Sequence, residues 1–269
     1  MPTSLPTFTD LAVSIEGHVA TVVIQRPPHN FFDMPLIQQI ATAFETLDAV
    51  HEVRALVLAA EGTAFCAGAN FGDGSKLDND GNRADEATRN NIGHLYQEAV
   101  RLFRTKKPIV GAIHGPAIGG GLGLALVPDF RVTCSEARFA ANFTRLGFHP
   151  GFGLTHTLPA LVGAQQASLM FYTGRRLTGE EALRIGLADM LVPLAEVRRA
   201  AQKLAAEIAQ NAPLAVAATR ATMRQGLADH VKAQTDHELS LQTSLRKSDD
   251  FKEGVKASAE RRMPVFRGR

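Results

Sequence analysis

Two glycine-rich turns carry the most specific chemical signal in this chain of 269 residues. The first closes the segment ALVLAAEGTAFCAGANF, from Ala55 to Phe71, and the second lies in KKPIVGAIHGPAIGGGLGLAL, from Lys106 to Leu126. Each reads as strand, then glycine turn, then helix. A turn of this kind leaves N–H groups unpaired at a helix N-terminus, where the helix dipole also favours negative charge. That is a place to bind an oxyanion. A side chain at the turn would keep a ligand carbonyl away from the backbone, which gives a reason for Gly68 and for Gly119, Gly120 and Gly121.

A glycine run alone is as readily explained by close packing. A phosphate-binding loop needs Lys and then Ser or Thr after Gly120, where the chain has Gly121 and Leu122. A dinucleotide fingerprint needs a three-glycine spacing that Gly119, Gly121 and Leu124 do not supply. The pair of turns is far more specific than either one.

The elements that must position these turns follow from hydrophobic periodicity. Leu11 to Ile24 reads as a β-hairpin split at Gly17-His18, Pro35 to Val50 has helical spacing, and Ala55 to Ala59 is a short apolar strand. The stretch Gly72 to Glu86 is too polar to pack and reads as an excursion. Its Asp78 and Asp80 echo a calcium loop whose remaining ligands are missing. A helix is expected from Asn91 to Thr105, a strand from Pro108 to Ile113 and another from Phe130 to Cys134. From Ala195 onward the pattern is helical throughout. Alternation followed by a helical tail predicts an α/β domain over residues 1–200 and an α-helical segment over 201–269.

Composition narrows the partners. With 29 basic and 27 acidic side chains the net charge is +2, which gives no reason to expect nucleic acid or membrane as partner. Basic clusters at Arg101 to Lys107 and Arg261 to Arg269 read first as solvated surface. Cys66 and Cys134 form no metal or disulfide pattern, and Cys66 has no evident base to make it a nucleophile. No secretory pattern or membrane-length apolar run appears, so a cytoplasmic protein is expected.

The pairing of AFCAGANF with IHGPAIGGGLGLAL resembles the enoyl-CoA hydratase/isomerase (crotonase) family. The resemblance continues through ARFAANFTRLGFHPGFGLTHTLP, FYTGRRLTGEEALRIGLADMLVP and DFKEGVKASAERRMPVFRGR. It implies a spiral of ββα units with a C-terminal helical trimerisation segment, a homotrimer or hexamer, and an acyl-CoA substrate of the kind met in fatty acid metabolism. No cofactor is required beyond coenzyme A as part of the substrate. By the same resemblance Ala69 and Gly120 match the oxyanion-hole amides. It also implies that Asn30 and Phe31 lie near the adenine and that Ala67, Gly68, Ala69, Asn70, Phe71, Gly120 and Phe143 are among the residues that bind the acyl-CoA. The resemblance also implies that the terminal basic cluster reaches the phosphates of a neighbouring subunit's ligand.

The chain departs from the family pattern where proton transfer would occur. Family hydratases use two glutamates, and the matching positions here are Gly123 and Phe143. An aspartate used by other branches is matched by Gly151. The loop GFHPGFG offers His149 as a substitute acid or base, with a hydrogen bond that merely holds the loop as the competing reading. Asn142 and Thr144 could orient a substrate but exchange protons poorly, and His94 and Tyr96 lie on the helix before the second turn. The sequence therefore predicts an enolate-stabilising enzyme without the two-glutamate mechanism. Alternatives are a lyase, hydrolase or decarboxylase using His149, or a silent acyl-CoA binder. The aromatic ring at 143 points to an apolar or planar acyl group beside it.

Overall fold

The computed structural model describes residues 6–70 and 86–269, with side chains from residue 95 onward in the second stretch. Phe71, the polar stretch with Asp78 and Asp80, and the side chain of His94 lie outside the described residues. The first hairpin is β1 (Leu11–Glu16) and β2 (Val19–Ile24), turning at Gly17-His18 as the sequence predicts. Helix α1 (Met34–Ala49) starts on Asp33, whose carboxylate accepts the Leu36 N–H at 3.1 Å. Its apolar face, with Leu36, Ile37, Ile40, Phe44 and Leu47, is buried.

Strand β3 (Ala55–Ala60) is buried along its whole length and pairs parallel with β2. Such uninterrupted apolar strands need cover on both faces. Helix α2 (Glu86–Phe103) packs against α1, and beyond it come β4 (Ile109–Ile113), β5 (Ala117–Ile118) and the six-residue helix α3 (Gly120–Ala125). Next are β6 (Phe130–Thr133), β7 (Arg138–Ala140) and a 3-10 turn at Asn142–Leu146. They are followed by α4 (Leu154–Val162), α5 (Ala164–Thr173), β8 (Leu177–Thr178), α6 (Gly179–Arg184) and β9 (Met190–Leu191). The last elements are α7 (Val197–Ala209), α8 (Pro213–Met223), α9 (Leu227–Leu245) and α10 (Asp249–Ala259).

The strands form a six-stranded sheet in the order β1-β2-β3-β4-β6-β9 and a three-stranded sheet in the order β5-β7-β8. The chain alternates between them: β4 leads to β5 and then α3, and β6 leads to β7 and then the 3-10 turn. A parallel bridge from Cys66 to Ala117 gives the segment after β3 the same step. These repeated ββα steps are the crotonase-like spiral. Helix α7 lies against β2, β3, β4 and β6, while α9 packs on α2 and α4. No helix of the described residues is long and apolar enough to cross a membrane.

Candidate active site

The alternation between sheets brings the two glycine turns together. Cys66 N–H donates to the Pro116 carbonyl at 3.0 Å, and Ile118 N–H donates back to the Cys66 carbonyl at 3.1 Å. The first turn then bends at Gly68, where φ is +83°, a conformation that side chains resist. A Cβ there would stand 2.6 Å from the Ile118 carbonyl and 3.7 Å from the Gly120 nitrogen. Helix α3 sits so close that a Cβ at Gly121 would overlap the Cys66 carbonyl, and one at Gly120 would overlap the Phe32 ring. Among the described residues, neither the Ala69 N–H nor the Gly120 N–H has a hydrogen-bond partner.

The turn containing Asn30 braces this arrangement. Asn30 is fully buried at φ +50°, accepts the Arg26 N–H, and donates to the Glu61 and Ala64 carbonyls at 2.6 and 2.7 Å. Its side chain is fully used within the fold. Ala67 N–H bonds the His29 carbonyl and Phe32 N–H bonds the Gly68 carbonyl, so the segment around Phe31 runs along the first turn. The Phe31 ring meets His29 edge to face, and Asn70 is held by a contact of its own. Cys66 is sealed in this joint, and burial pushes its thiol up to about 12, which removes it as a nucleophile at neutral pH.

Aromatic rings stand at positions 123, 143 and 151, where the resemblance leads to the expectation of acids. A Cβ at Gly123 would come within 2.8 Å of the Phe152 ring. Phe143 is buried, with its ring tip 3.8 Å from the Cβ position of Gly119 and its ring in an edge-to-face contact with Phe148 at 5.5 Å. At Gly151 a Cβ would overlap the Tyr96 hydroxyl and stand 2.5 Å from the Gln242 side-chain nitrogen. Tyr96 donates to Gln242 Oε1 at 2.8 Å, and burial raises its phenol above the ordinary range, so it is neutral.

Helix α9 supplies the rest of this region. Gln242 Nε2 donates to the His149 carbonyl at 2.9 Å. Glu238, fully buried, accepts from Gly153 N–H, Thr155 N–H and the Thr155 hydroxyl at 2.6 to 2.9 Å, capping α4. Burial raises its pKa, against the pull of those donors. The His149 Nδ1 lies 2.8 Å from the Pro150 carbonyl, which can only accept, so a neutral ring carries its proton on Nδ1 and leaves Nε2 basic. Among the described residues, the hydrogen bonds and ring contact of His149 are with Pro150, Gln242 and His237 and not with either glycine turn.

Thr144 is committed to the Phe171 carbonyl, and Asn142 Oδ1 stands 3.3 Å from the Cβ position of Gly119. The basic clusters are largely paired within the chain: Arg101 with Glu45 and Glu98, Arg262 with Glu253 and Glu260. A cavity on the α7 side of the first turn, lined by Glu61, His114 and Arg198, holds a charge already matched by the Arg198–Glu61 pair at 3.0 Å.

The family model for enoyl-CoA hydratase/isomerase matches residues 14–269. The chain belongs to the enoyl-CoA hydratase/isomerase family. An enoyl-CoA isomerase/hydratase of Zymoseptoria tritici is 35% identical, covering 94% of this chain and 85% of its own. A mevalonyl-coenzyme A hydratase of Beauveria bassiana is 32% identical over 97% of this chain and 96% of its own. Among solved structures, an enoyl-CoA hydratase/isomerase from Pseudoalteromonas atlantica superposes with a TM-score of 0.83 at 29% identity, covering 96% of this chain and 100% of that one. The family acts on acyl-CoA, and this member has the family's fold without carboxylates at positions 123, 143 and 151.

The residues missed by sequence reasoning are Glu238, Gln242 and Arg246, all on or at the end of α9. Their signal was a polar stripe at Thr235, Glu238 and Gln242, which reads as a solvated helix face until α2 and α4 cover it.

Proposed function

We propose that the chain is a CoA-thioester enzyme that stabilises an enolate oxyanion between the N–H groups of Ala69 and Gly120. The two-glutamate hydration mechanism is not its route. The observation that carries this reading is the approach of two amides from separate turns, unpartnered among the described residues and held by the Cys66 pairing with β5. One such donor is worth about 3 to 4 kcal/mol in a transition state, so the pair remains useful without a neighbouring carboxylate. Asn30, Phe31 and the Ala67 to Asn70 segment would border the CoA arm, and Phe143 the acyl group. The reading includes a homotrimer or hexamer working in the cytoplasm.

Proton transfer, where the reaction needs it, falls to His149 through Nε2. This favours lyase, hydrolase or decarboxylase chemistry over ordinary hydration, because a lone imidazole cannot play both glutamate parts. Isotope-edited infrared spectra of a bound thioester test the oxyanion hole: the carbonyl stretch should fall on binding, and an unshifted band would refute it. Loss of the crotonyl-CoA enoyl absorbance, followed in parallel with His149→Ala, tests the chemistry.

A second reading is favoured by the rings of Phe152 and Phe143 and by the saturated Glu238: a silent acyl-CoA binder. Tight CoA-thioester binding with no turnover over a panel of thioesters would select it.

A further inference from the structure

Two imidazole pairs bridge the seam between α9 and the segment 149–156. His149 meets His237 with ring centroids 6.3 Å apart, and His156 meets His230 at 5.4 Å. His230 and His237 are two turns apart on α9, so both pairs lie along one line of contact. Their surroundings differ. His149 sits on a loop and interacts with the carboxylate of Glu238, whereas neither ring of the second pair has an ion-pair partner among the described residues.

The second pair stands where two helices begin. His156 is in the first turn of α4 and His230 in the first turn of α9, and both helices start on a glycine, Gly153 and Gly226, that has no capping side chain. The positive end of a helix dipole lies beside each imidazole, an arrangement that disfavours a cation. His156 is half-buried and His230 exposed. Burial first, and the charge of His230 second, hold the His156 pKa below the ordinary value. The other charged side chains on this part of α9 are engaged: Asp229 with Arg104 of α2, Lys232 with Asp236, and Glu238 with Gly153 and Thr155. Neither α4 nor α3 carries another titratable group, and α5 has only Tyr172. On the described part of α2, Tyr96 is neutral, and Arg101 is paired with Glu45 and Glu98.

This seam reaches the glycine turns through contiguous packing. Val231, next to His230, fills the space in front of Gly153, where a Cβ would stand 2.8 Å from its Cγ1. The preceding Phe152 lies within 2.8 Å of the Cβ position of Gly123, and its ring is 5.8 Å from that of Phe32, which closes over Gly120. We propose that the His156–His230 pair is a proton-sensitive clamp on the site. Neutral, it lets α4 and α9 dock through their first turns. Doubly protonated in mild acid, it parts them, loosens Phe152 from α3 and weakens thioester binding. The effect on binding rests on the acyl-CoA reading, and the parting of the helices does not. Because the folded pKa of His156 is lowered, the folded chain holds fewer protons than the unfolded chain between that value and about 6.5. The contribution of the clamp is complete above this interval and is lost as pH falls through it.

Hydrogen exchange and butyryl-CoA calorimetry on the full chain, at about pH 7.5 and about pH 5.5, test it on either side of imidazole titration. The His156 and Thr157 amides bond the Gly153 carbonyl, and their protection, corrected for intrinsic exchange, should fall at least fivefold in acid. His230→Gln, at an exposed position, should abolish that fall, while His237→Gln should leave it unchanged. Protection that holds in acid in the unmodified chain overturns the proposal without needing any variant to fold. So does an equal fall in His230→Gln, or a fall that vanishes only in His237→Gln. Thioester affinity is read as the ratio of His230→Gln to the unmodified chain, so that titration of the coenzyme phosphates cancels. That ratio should rise at least threefold in acid. A constant ratio overturns the control of binding, whereas no thioester binding at either pH removes the acyl-CoA reading and leaves the exchange result to decide the clamp.

Discussion

The two halves of the site are made of different material. The glycine turns are built from main chain: paired strands set their approach, and the functional groups are amides that every residue carries. The region facing α9 is built from side-chain contacts that span 85 to 146 positions in sequence, such as Tyr96 with Gln242 and the Gly153 N–H with Glu238. The first half therefore tolerates exchange of side chains only where no Cβ is needed. The second can change its chemistry by exchange of single residues, and here positions 123, 143 and 151 carry Gly, Phe and Gly.

The contrast breaks most sharply at Gly121. A methyl group there overlaps the Cys66 carbonyl, a backbone atom fixed by the Ile118 bond, so nothing flexible can give way. Gly121→Ala should cost about 3 kcal/mol or more, at or beyond the upper end of overpacking effects. Thioester binding should be lost with it. Urea denaturation and calorimetry check both, and a variant of ordinary stability that still binds would show that the turns are not so tightly joined.

Next in size is Gly151→Asp, which places an acid where Tyr96 stands. The overlap and the buried charge together should destabilise by about 2 to 3 kcal/mol. Because the obstruction is a side chain, Tyr96→Phe in the same molecule should recover at least about 1 kcal/mol, measurable as coupling in a double-mutant cycle. Additive effects would mean that the hydroxyl is not what excludes a side chain at 151.

This difference also explains what could be read without coordinates. The glycine turns were legible because close backbone approach leaves a local mark, the absence of Cβ atoms at Gly68, Gly120 and Gly121. The strand and helix order was legible because β2, β3 and α1 carry unbroken apolar patterns. Helix α2 starts at Glu86 rather than Asn91, since its polar first turns carry no apolar period. The partners on α9 were not legible: Glu238 and Gln242 are polar side chains on a helix, and only the packing of α2 and α4 over them makes them interior. His149 was correctly placed on a loop, but its contacts with α9 follow from tertiary packing alone.

Glu238→Gln probes the buried carboxylate. Its folded pKa is raised by burial, so the folded state holds a proton that the unfolded chain has released over the interval between the ordinary carboxylate value and the raised one. Stability should then fall as pH rises through that interval and be level above it. The Gln variant should lack this component, so the difference between the two denaturation curves should vary with pH. At neutral pH the variant, which turns an amide donor toward N–H groups, should lose about 1 to 2 kcal/mol. A difference independent of pH would mean that Glu238 does not titrate above the ordinary range.

The smallest effect is expected from Tyr96→Phe alone. It removes the 2.8 Å bond to Gln242 Oε1 and leaves that oxygen without a donor among the described residues, while the ring keeps its buried place. One neutral hydrogen bond is worth about 1 kcal/mol, and the loop retains the bond from Gln242 Nε2 to the His149 carbonyl. Urea denaturation should therefore show a loss near that size, with thioester affinity little changed. A much larger loss would show that the phenol, rather than the amide of Gln242, holds the His149 loop against α9. The side-chain half of the site would then hang on one hydroxyl group, and its freedom to exchange residues would be far narrower than that of a network with two independent bonds.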